Sequence, residues 1–370
     1  MTDLISSQTT PAARLYLSGS LIFGCLLAFG VSTQVGSQSS SSSSLYFYFV
    51  VLLSIVLASA TAYFQNAVVA LAASFGARCM GSMIAFQGVV GAVISLVQLV
   101  AAVSLVKHRT PAASISAPLD SQTAKSAAVF FGFSTALMGA ILFAFHLLSR
   151  SHIYAEIDQE TKDAKAVPNG SLSRSSFDRL SGVQRKIAPL CFSVAYVFVV
   201  TLALFPAFTA RVTSSSAQKG SLMASSLVFS AVHFVVFNTA DLVGRTLPSL
   251  VPARFVPESS LIFVLASLAR TIFAPLFNGA HTERSTGTGP MVVRGVETST
   301  SLLQADWVFF TLLTIFGISN GYISTSLFLS APARPQLRPD ERQLAATVLS
   351  FWLTIGLAVG SALSLATASW

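Results

Sequence analysis

The sequence has little charge. Of its 370 residues only 10% are Asp, Glu, Lys or Arg, whereas 53% are apolar, and the mean hydropathy is +0.71. An ordinary soluble domain carries about 25% charged residues, and a soluble enzyme rarely has several apolar runs that could each cross a bilayer. The scarcity of charge therefore argues against a soluble protein and predicts a polytopic membrane protein.

Other absences narrow the function. The three cysteines, Cys25, Cys79 and Cys191, form no CxxC pair, so neither a zinc site nor a disulfide framework is indicated. The five histidines lack metal-ligand spacing, and no GxxxxGK[ST], GxSxG or HExxH motif occurs. The sequence therefore predicts no metal, no cofactor and no enzymatic activity.

Nine apolar stretches are each long enough to cross the hydrocarbon core of a bilayer. Because backbone groups in lipid must satisfy one another, runs of this length are predicted to be helices. The fold class is therefore an all-α polytopic membrane protein. The predicted spans cover approximately residues 14–35, 45–75, 80–106, 125–149, 187–211, 222–250, 257–277, 305–330 and 341–368.

The longest polar segment divides the chain. Residues 150–186 contain "EIDQETKDAK" and "SRSSFDRLSGVQRK", which are typical of a solvated linker. We therefore predict an N-terminal transmembrane bundle of four helices over 1–149, a loop over 150–186, and a C-terminal bundle of five helices over 187–370.

The distribution of basic residues predicts the orientation, because cytosolic loops carry an excess of lysine and arginine. With a cytosolic N-terminus, basic residues are more numerous in the cytosolic segments than in the external ones. The cytosolic group is Arg14, Arg78, Arg150, Lys162, Lys165, Arg174, Arg179, Arg185, Lys186, Arg254, Arg334, Arg338 and Arg342; the external group is Lys107, Arg109, Lys125, Arg211, Lys219, Arg284 and Arg294. The 150–186 loop is then also cytosolic, and the net charge of +8 reflects this loop asymmetry rather than nucleic-acid binding.

A polar stripe interrupts the sixth span. In "VFNTADLVGR", residues 236–245, Asn238, Asp241 and Arg245 lie where a lipid-facing helix would carry leucines. At 100° per residue these three and Phe234 project into one sector of about 60°. Asp241 precedes Arg245 by four residues, the better order for a helical ion pair.

Two interpretations of this pair are open. Intramembrane charge usually faces a bundle interior or a watery cavity, so the stripe either holds helices together or lines the path of a polar solute. Polar groups on other spans favour a shared cavity, although each can also join helices. They are Gln65, Asn66, Gln87 and the residues of "SNGY" (319–322), and Arg270 is a further intramembrane cation.

Three other features have structural interpretations. "GISNG" (317–321) and "GLAVG" (356–360) are GxxxG patterns, which allow two helix backbones to approach closely. His233 lies about 140° from Asn238 on the helical wheel. It is therefore interpreted as a packed histidine.

These residues resemble a known family. "FNTADLVGR" is similar to the FNxxDxxGR signature in the eighth helix of the equilibrative nucleoside transporters, and "FGISNGYISTSLFLSAP" (316–332) is similar to their tenth helix. "LARTIFAPLFN" (268–278), "TLALFPAFT" (201–209) and "AYFQNAVVALAASFGARCMGSMIAFQGVVG" (62–91) resemble other helices of the family. The resemblance covers most of the chain from about residue 15.

The resemblance implies a fold and a function. The fold is a major-facilitator-like bundle, and the activity is facilitated passage of nucleosides, in some members nucleobases, by alternating access between two bundles. The implied partners are thus nucleosides or nucleobases and the lipid bilayer, without nucleic acid. Carried over by motif, the residues facing the solute are Gln65, Phe234, Asn238, Asp241 and Arg245, with Ser319 and Asn320 near the path or its gate.

The sequence differs from the family at its front. The family has eleven spans, whereas nine are predicted here, and the first predicted span resembles the family's third. The predicted spans thus include no counterpart of the family's first two helices. An alternative function is therefore a truncated, non-transporting membrane protein that associates with or regulates a complete transporter. The expected location is a plasma membrane or a vacuolar or lysosomal-type membrane. Hydropathy does not indicate the oligomeric state.

Overall fold

The structure, a computed structural model, contains only helices and their connections in the residues that it describes. These residues are 11–36, 43–107, 119–152, 154–156, 159, 172–207, 209–212, 214, 221–250, 259–277, 279, 306–338 and 341–367. Within them, nine helices are long and apolar enough to cross a membrane. The predicted all-α polytopic class is confirmed.

The long helices follow the predicted apolar runs. Their observed bounds are α1 Pro11–Gly36, α2 Ser43–Ser74, α3 Ala77–Lys107, α4 Leu119–Ser149, α5 Leu172–Leu204, α6 Ser226–Leu250, α7 Ser260–Ala269, α8 Asp306–Ser330 and α9 Arg342–Thr367. A 3-10 turn, Arg270–Ile272, follows α7 directly, and the chain is helical again over 273–277. Short 3-10 turns also occur at Thr209–Arg211 and Leu222–Ala224.

Helix α5 differs from its predicted span. It was expected over 187–211, but it begins at Leu172 and ends at Leu204. The helix starts early because a polar segment that contains arginine, lysine and glutamine can continue a helix beyond its apolar part. Hydropathy does not detect such a polar extension. The early end lies just before Pro206, because proline disfavours helical backbone in the residue before it and donates no N–H.

Large apolar side chains on the helices face outward. Phe86 on α3 is 70% exposed and Phe133 on α4 is 69% exposed. In water such surfaces would associate, whereas in a bilayer they contact lipid. The exposure of apolar rings along whole helices thus agrees with the membrane-spanning interpretation.

The first of two compact units contains α1, α2 and α4 and spans residues 1–74 and 111–182. Helix α1 packs against both α2 and α4. Phe29 stacks on Phe131 with ring centroids 5.1 Å apart, and the Tyr16 hydroxyl lies 3.1 Å from Nδ1 of His146. A Cβ on Gly19 would come within 2.6 Å of the Leu142 side chain, so this glycine lets α1 approach α4.

The second unit spans residues 75–110 and 183–370. It contains α3, most of α5, and α6 to α9, with α6 packed against both α3 and α8. This grouping places α3 with the C-terminal helices, whereas the scheme of 1–149, 150–186 and 187–370 placed it with the N-terminal ones. The boundaries of that scheme stay a prediction.

The core of the second unit is built mainly from phenylalanine. Buried rings from α5 to α8 and their connections pack together at its centre, and Phe205 stacks on Phe237 with centroids 4.0 Å apart. The buried phenylalanines of this cluster are Phe205, Phe229, Phe237, Phe273, Phe277, Phe309 and Phe316. His233, fully buried, lies 4.6 Å from the Phe229 ring and 4.8 Å from the Phe309 ring. The interpretation of His233 as a packed histidine is confirmed.

Both GxxxG patterns mark close helix contacts, as predicted. A Cβ on Gly356 of α9 would lie 2.4 Å from the Ala195 carbonyl oxygen of α5, and one on Gly321 of α8 would lie 2.1 Å from the Asp241 carbonyl oxygen of α6. Distances this short leave no room for any side chain. Gly356 therefore lets α9 approach α5, and Gly321 lets α8 approach α6 at the level of the polar stripe.

An ion pair secures the start of α9. Nζ of Lys186 on α5 donates to Oε2 of Glu341 at 2.6 Å, and the backbone N–H of Arg338 donates to the same oxygen at 2.9 Å. Burial alone would raise the pKa of Glu341, but these donors and the nearby positive charge lower it overall. The carboxylate therefore stays ionised and ties the segment before α9 to α5.

Candidate functional site

The site is built around the Asp241–Arg245 pair of α6. Because the two residues are one turn apart on one helix face, Nε of Arg245 donates to Oδ2 of Asp241 at 2.6 Å. The Asp241 side chain is 7% exposed and that of Arg245 is 14% exposed. The ion pair that the spacing predicted is present, and its acidic member is the more deeply buried.

Asp241 is also bound from α8. Nδ2 of Asn320 donates to Oδ1 of Asp241 at 2.7 Å, and Asn320 is 3% exposed. Each carboxylate oxygen of Asp241 thus accepts one hydrogen bond, Oδ1 from the Asn320 amide nitrogen and Oδ2 from the Arg245 guanidinium. Donors from two helices therefore hold the carboxylate in place.

Arg245 extends from α6 towards α3. Its Nη1 donates to Oε1 of Gln87 at 3.3 Å and to the Ile84 carbonyl oxygen at 3.4 Å. Gly88 makes this approach possible, because a Cβ there would lie 3.0 Å from Cδ of Arg245. Gln87 itself is exposed, so the guanidinium lies beside a polar group at the protein surface.

Asn238 and Phe234 lie further along α6. Nδ2 of Asn238 donates to the Phe234 carbonyl oxygen at 2.8 Å, and Oδ1 would be 2.9 Å from a Cβ on Gly91 of α3. Asn238 therefore faces α3, as Arg245 does. The ring of Phe234 meets Phe205 edge-on at 5.2 Å and packs against the phenylalanine cluster.

Ser319 joins the site through a second arginine. Its Oγ accepts a hydrogen bond from Nη1 of Arg270. It also lines, with Tyr322, an otherwise apolar groove of about 460 Å³ between α7 and α8. Ser319 thus contacts Arg270 rather than the Asp241–Arg245 pair.

The predicted residues are only partly brought together. Asp241 is in direct contact with both Arg245 and Asn320, and Asn238 faces the same neighbouring helix as Arg245. Gln65 is half-buried on α2 in the first unit, and its place beside the others stays a prediction, as does the solute-facing role of the whole set.

Sequence reasoning missed two members of the polar cluster. Arg270 stood out as an intramembrane cation but received no role, and Thr201 carried no signal. Nη2 of Arg270 donates to Oγ1 of Thr201 at 2.9 Å, and Oγ1 of Thr201 lies 2.7 Å from Oδ1 of Asn320. Such partners lie on different helices, so no local spacing in the sequence predicts them.

These features define a class of protein. A multi-pass helical membrane protein with paired charges, buried amides and closely packed glycine-bearing helices has the construction of a solute carrier. The chain belongs to the nucleoside transporter family, because the family model described as "Nucleoside transporter" matches residues 52–368. The resemblance found in the sequence is confirmed.

Individual relatives agree with this family. The chain is 34% identical over 183 residues to equilibrative nucleoside transporter 2 of Mus musculus, covering 49% of this chain and 36% of the mouse protein. It is 24% identical over 326 residues to equilibrative nucleoside transporter 3 of Rattus norvegicus, covering 83% and 62%. It is 28% identical over 228 residues to adenosine transporter 1 of Crithidia fasciculata, covering 60% and 39%. The chain thus spans less than two thirds of each of these relatives.

Proposed function

We propose that this protein carries nucleosides across a membrane by facilitated diffusion, with alternating access between two helical bundles and with nucleobases as further solutes. The single observation that supports it best is the Asp241–Arg245 pair, which lies inside the membrane-length helix α6 and within the residues that match the family. The pair is partly exposed on its Arg245 side. A charged pair there is costly unless it serves a polar passage. The relatives whose names state nucleoside or adenosine transport support the choice of solute.

Within the proposed set of seven residues the geometry favours a division of roles. The Arg245 side chain is still partly exposed and carries several N–H donors. These donors suit the carbonyl and hydroxyl oxygens of a nucleoside. Asp241 and Asn320 are buried and bound to each other, so they hold Arg245 in place. Gln65, Phe234, Asn238 and Ser319 complete the proposed lining, with Phe234 offering an aromatic surface to the base.

The hydrogen bonds also favour transport without proton coupling. Both groups that contact the Asp241 carboxylate, Nε of Arg245 and Nδ2 of Asn320, are donors. Both carboxylate oxygens are therefore used to hold Arg245 and Asn320. The proposal accordingly gives Asp241 a binding role and no part in proton transfer, so that only the solute gradient drives net movement.

Uptake into proteoliposomes tests the proposed function. With the full chain reconstituted, we expect saturable uptake of labelled uridine and adenosine that excess unlabelled nucleoside inhibits. Uptake should stop when the two concentrations are equal and should be the same with and without an inward proton gradient. Protein-free vesicles and labelled L-glucose are the controls. Folded, inserted protein that gives no saturable uptake would contradict the proposal.

We propose a cytosolic N-terminus, in a plasma membrane or a vacuolar or lysosomal-type membrane. Cys79 tests the orientation, because it is exposed and lies in the first turn of α3, beside Arg78. Its thiol is then cytosolic, and a membrane-impermeant maleimide should label it in inside-out vesicles but not in right-side-out vesicles. A Cys79→Ser variant controls for the buried Cys25 and Cys191, and the reverse labelling pattern would overturn the orientation.

A further inference from the structure

Arg270 is a second buried cation that the proposed transport does not use. It is 2% exposed, and within the described residues no carboxylate lies at ion-pair distance from it. Its partners are instead the Phe316 carbonyl oxygen at 3.1 Å, Oγ of Ser319, Oγ1 of Thr201 at 2.9 Å, and the Phe316 ring at 4.4 Å from Cζ. A buried guanidinium held only by neutral groups is costly, which raises the question of what it does.

The hydrogen bonds of this cluster can run in only one direction. An arginine can only donate and an ionised aspartate can only accept. Oγ1 of Thr201 must therefore accept from Arg270, and Asn320 must turn its Nδ2 towards Asp241. Oδ1 of Asn320 then faces Thr201 and requires a donor.

The Thr201 hydroxyl is that donor. Its oxygen lies 2.7 Å from Oδ1 of Asn320 and 2.6 Å from the Val197 carbonyl oxygen. Inside helix α5 the Val197 carbonyl has a backbone N–H as its ordinary partner, whereas the described residues offer no other donor to Oδ1 of Asn320. The chain of donors therefore runs from Arg270 through Thr201 and Asn320 to Asp241.

We propose that Arg270 and Thr201 are positioning residues for the Asp241–Arg245 pair and set the affinity for the transported solute. By fixing which end of the Asn320 amide faces α6, they keep Oδ1 of Asp241 occupied and leave Oδ2 to Arg245. Without them the amide can turn and place its oxygen against the carboxylate. The carboxylate then shifts, and Arg245 loses its alignment towards the solute.

This inference rests on the proposed function for its kinetic test. Thr201→Val keeps the shape of the side chain but removes the hydroxyl, and we expect it to raise KM for uridine about tenfold, the size of one lost hydrogen bond, with the maximal rate within about twofold. Thr201→Ser restores the hydroxyl and should restore KM. Thr325→Val is the matched control, because Thr325 is a fully buried residue of α8 whose hydroxyl has no partner in the described part of the chain. It should leave KM unchanged.

A second measurement needs no transport. In an Asp241→Asn background the new amide can accept or donate, so either orientation of Asn320 is tolerated. Thr201→Val should therefore lower the melting temperature of the purified protein less in that background than in the wild type. Thr325→Val should lower it equally in both.

The outcomes separate the two proposals. Absence of uridine uptake by wild-type protein overturns the proposed function, while the melting temperatures still test the positioning role. Normal uptake with a Thr201→Val variant that behaves like Thr325→Val overturns the positioning role alone. Equal losses of melting temperature for Thr201→Val in the wild-type and Asp241→Asn backgrounds also overturn the positioning role. If Asp241→Asn is not recovered folded, Thr201→Ser replaces that comparison. A Thr201→Ser protein that loses as much stability as Thr201→Val then overturns the positioning role.

Discussion

Replacing Arg245 by alanine is expected to reduce nucleoside uptake at least about a hundredfold. The change leaves the Asp241 carboxylate buried without its ion-pair partner, and removing one member of a buried pair costs about 3–5 kcal/mol. It also removes the partly exposed donor proposed to bind the solute. Arg245→Lys should restore little uptake, because one ammonium group cannot reproduce the guanidinium contacts with Asp241, Gln87 and the Ile84 carbonyl. The measurement is initial uptake of labelled uridine, normalised to folded protein.

A double variant distinguishes a functional pair from a purely structural one. Arg245→Ala combined with Asp241→Asn removes both charges, so the unpaired carboxylate is gone and melting temperature should recover. If the pair only holds helices together, uptake should recover with it, which would contradict a solute-binding Arg245. Arg342→Ala changes an exposed arginine at the start of α9 and should leave both uptake and melting temperature unchanged.

The sequence predicted the features that depend on local patterns. Apolar runs of sufficient length predicted the nine membrane-length helices seen in the described residues, and the four-residue spacing predicted the contact of Asp241 with Arg245. The GxxxG patterns predicted the close approaches at Gly321 and Gly356. Each of these needs only the geometry of one helix, or the absence of a side chain on it.

The features that escaped prediction depend on several helices at once. Thr201 lies in an apolar run and has no polar neighbour at helical spacing, so only the tertiary structure shows it between Arg270 and Asn320. Arg270 was visible as a charge, but its partners lie on α5 and α8. The extension of α5 back to Leu172 was missed because hydropathy detects the membrane-spanning part of a helix and not its polar continuation.

The contact between α6 and α8 connects packing to function. Asn320 reaches Asp241 only because Gly321 and Gly244 let the two backbones meet. A Cβ on Gly244 would lie 2.2 Å from the Ile318 carbonyl oxygen, and one on Gly317 would lie 2.8 Å from the Phe237 carbonyl oxygen. The backbone contact is thus shared by three glycines along this seam, and it sets the distance across which the polar cluster forms.

Gly321→Ala is therefore expected to lower both stability and uptake. Its Cβ would fall 2.1 Å from the Asp241 carbonyl oxygen and 2.6 Å from the Arg245 backbone nitrogen, and rigid backbone cannot move aside as a side chain can. About 3 kcal/mol of overpacking, at about 2–4 °C per kcal/mol, predicts a fall of roughly 6–12 °C in melting temperature. Gly24→Ala is the control, because a Cβ there meets nothing within 4 Å and alanine favours helix. A Gly321→Ala protein that melts and transports like Gly24→Ala would show that the two helices are not held in backbone contact, and with that the position of Asn320 against Asp241 would lose its structural basis.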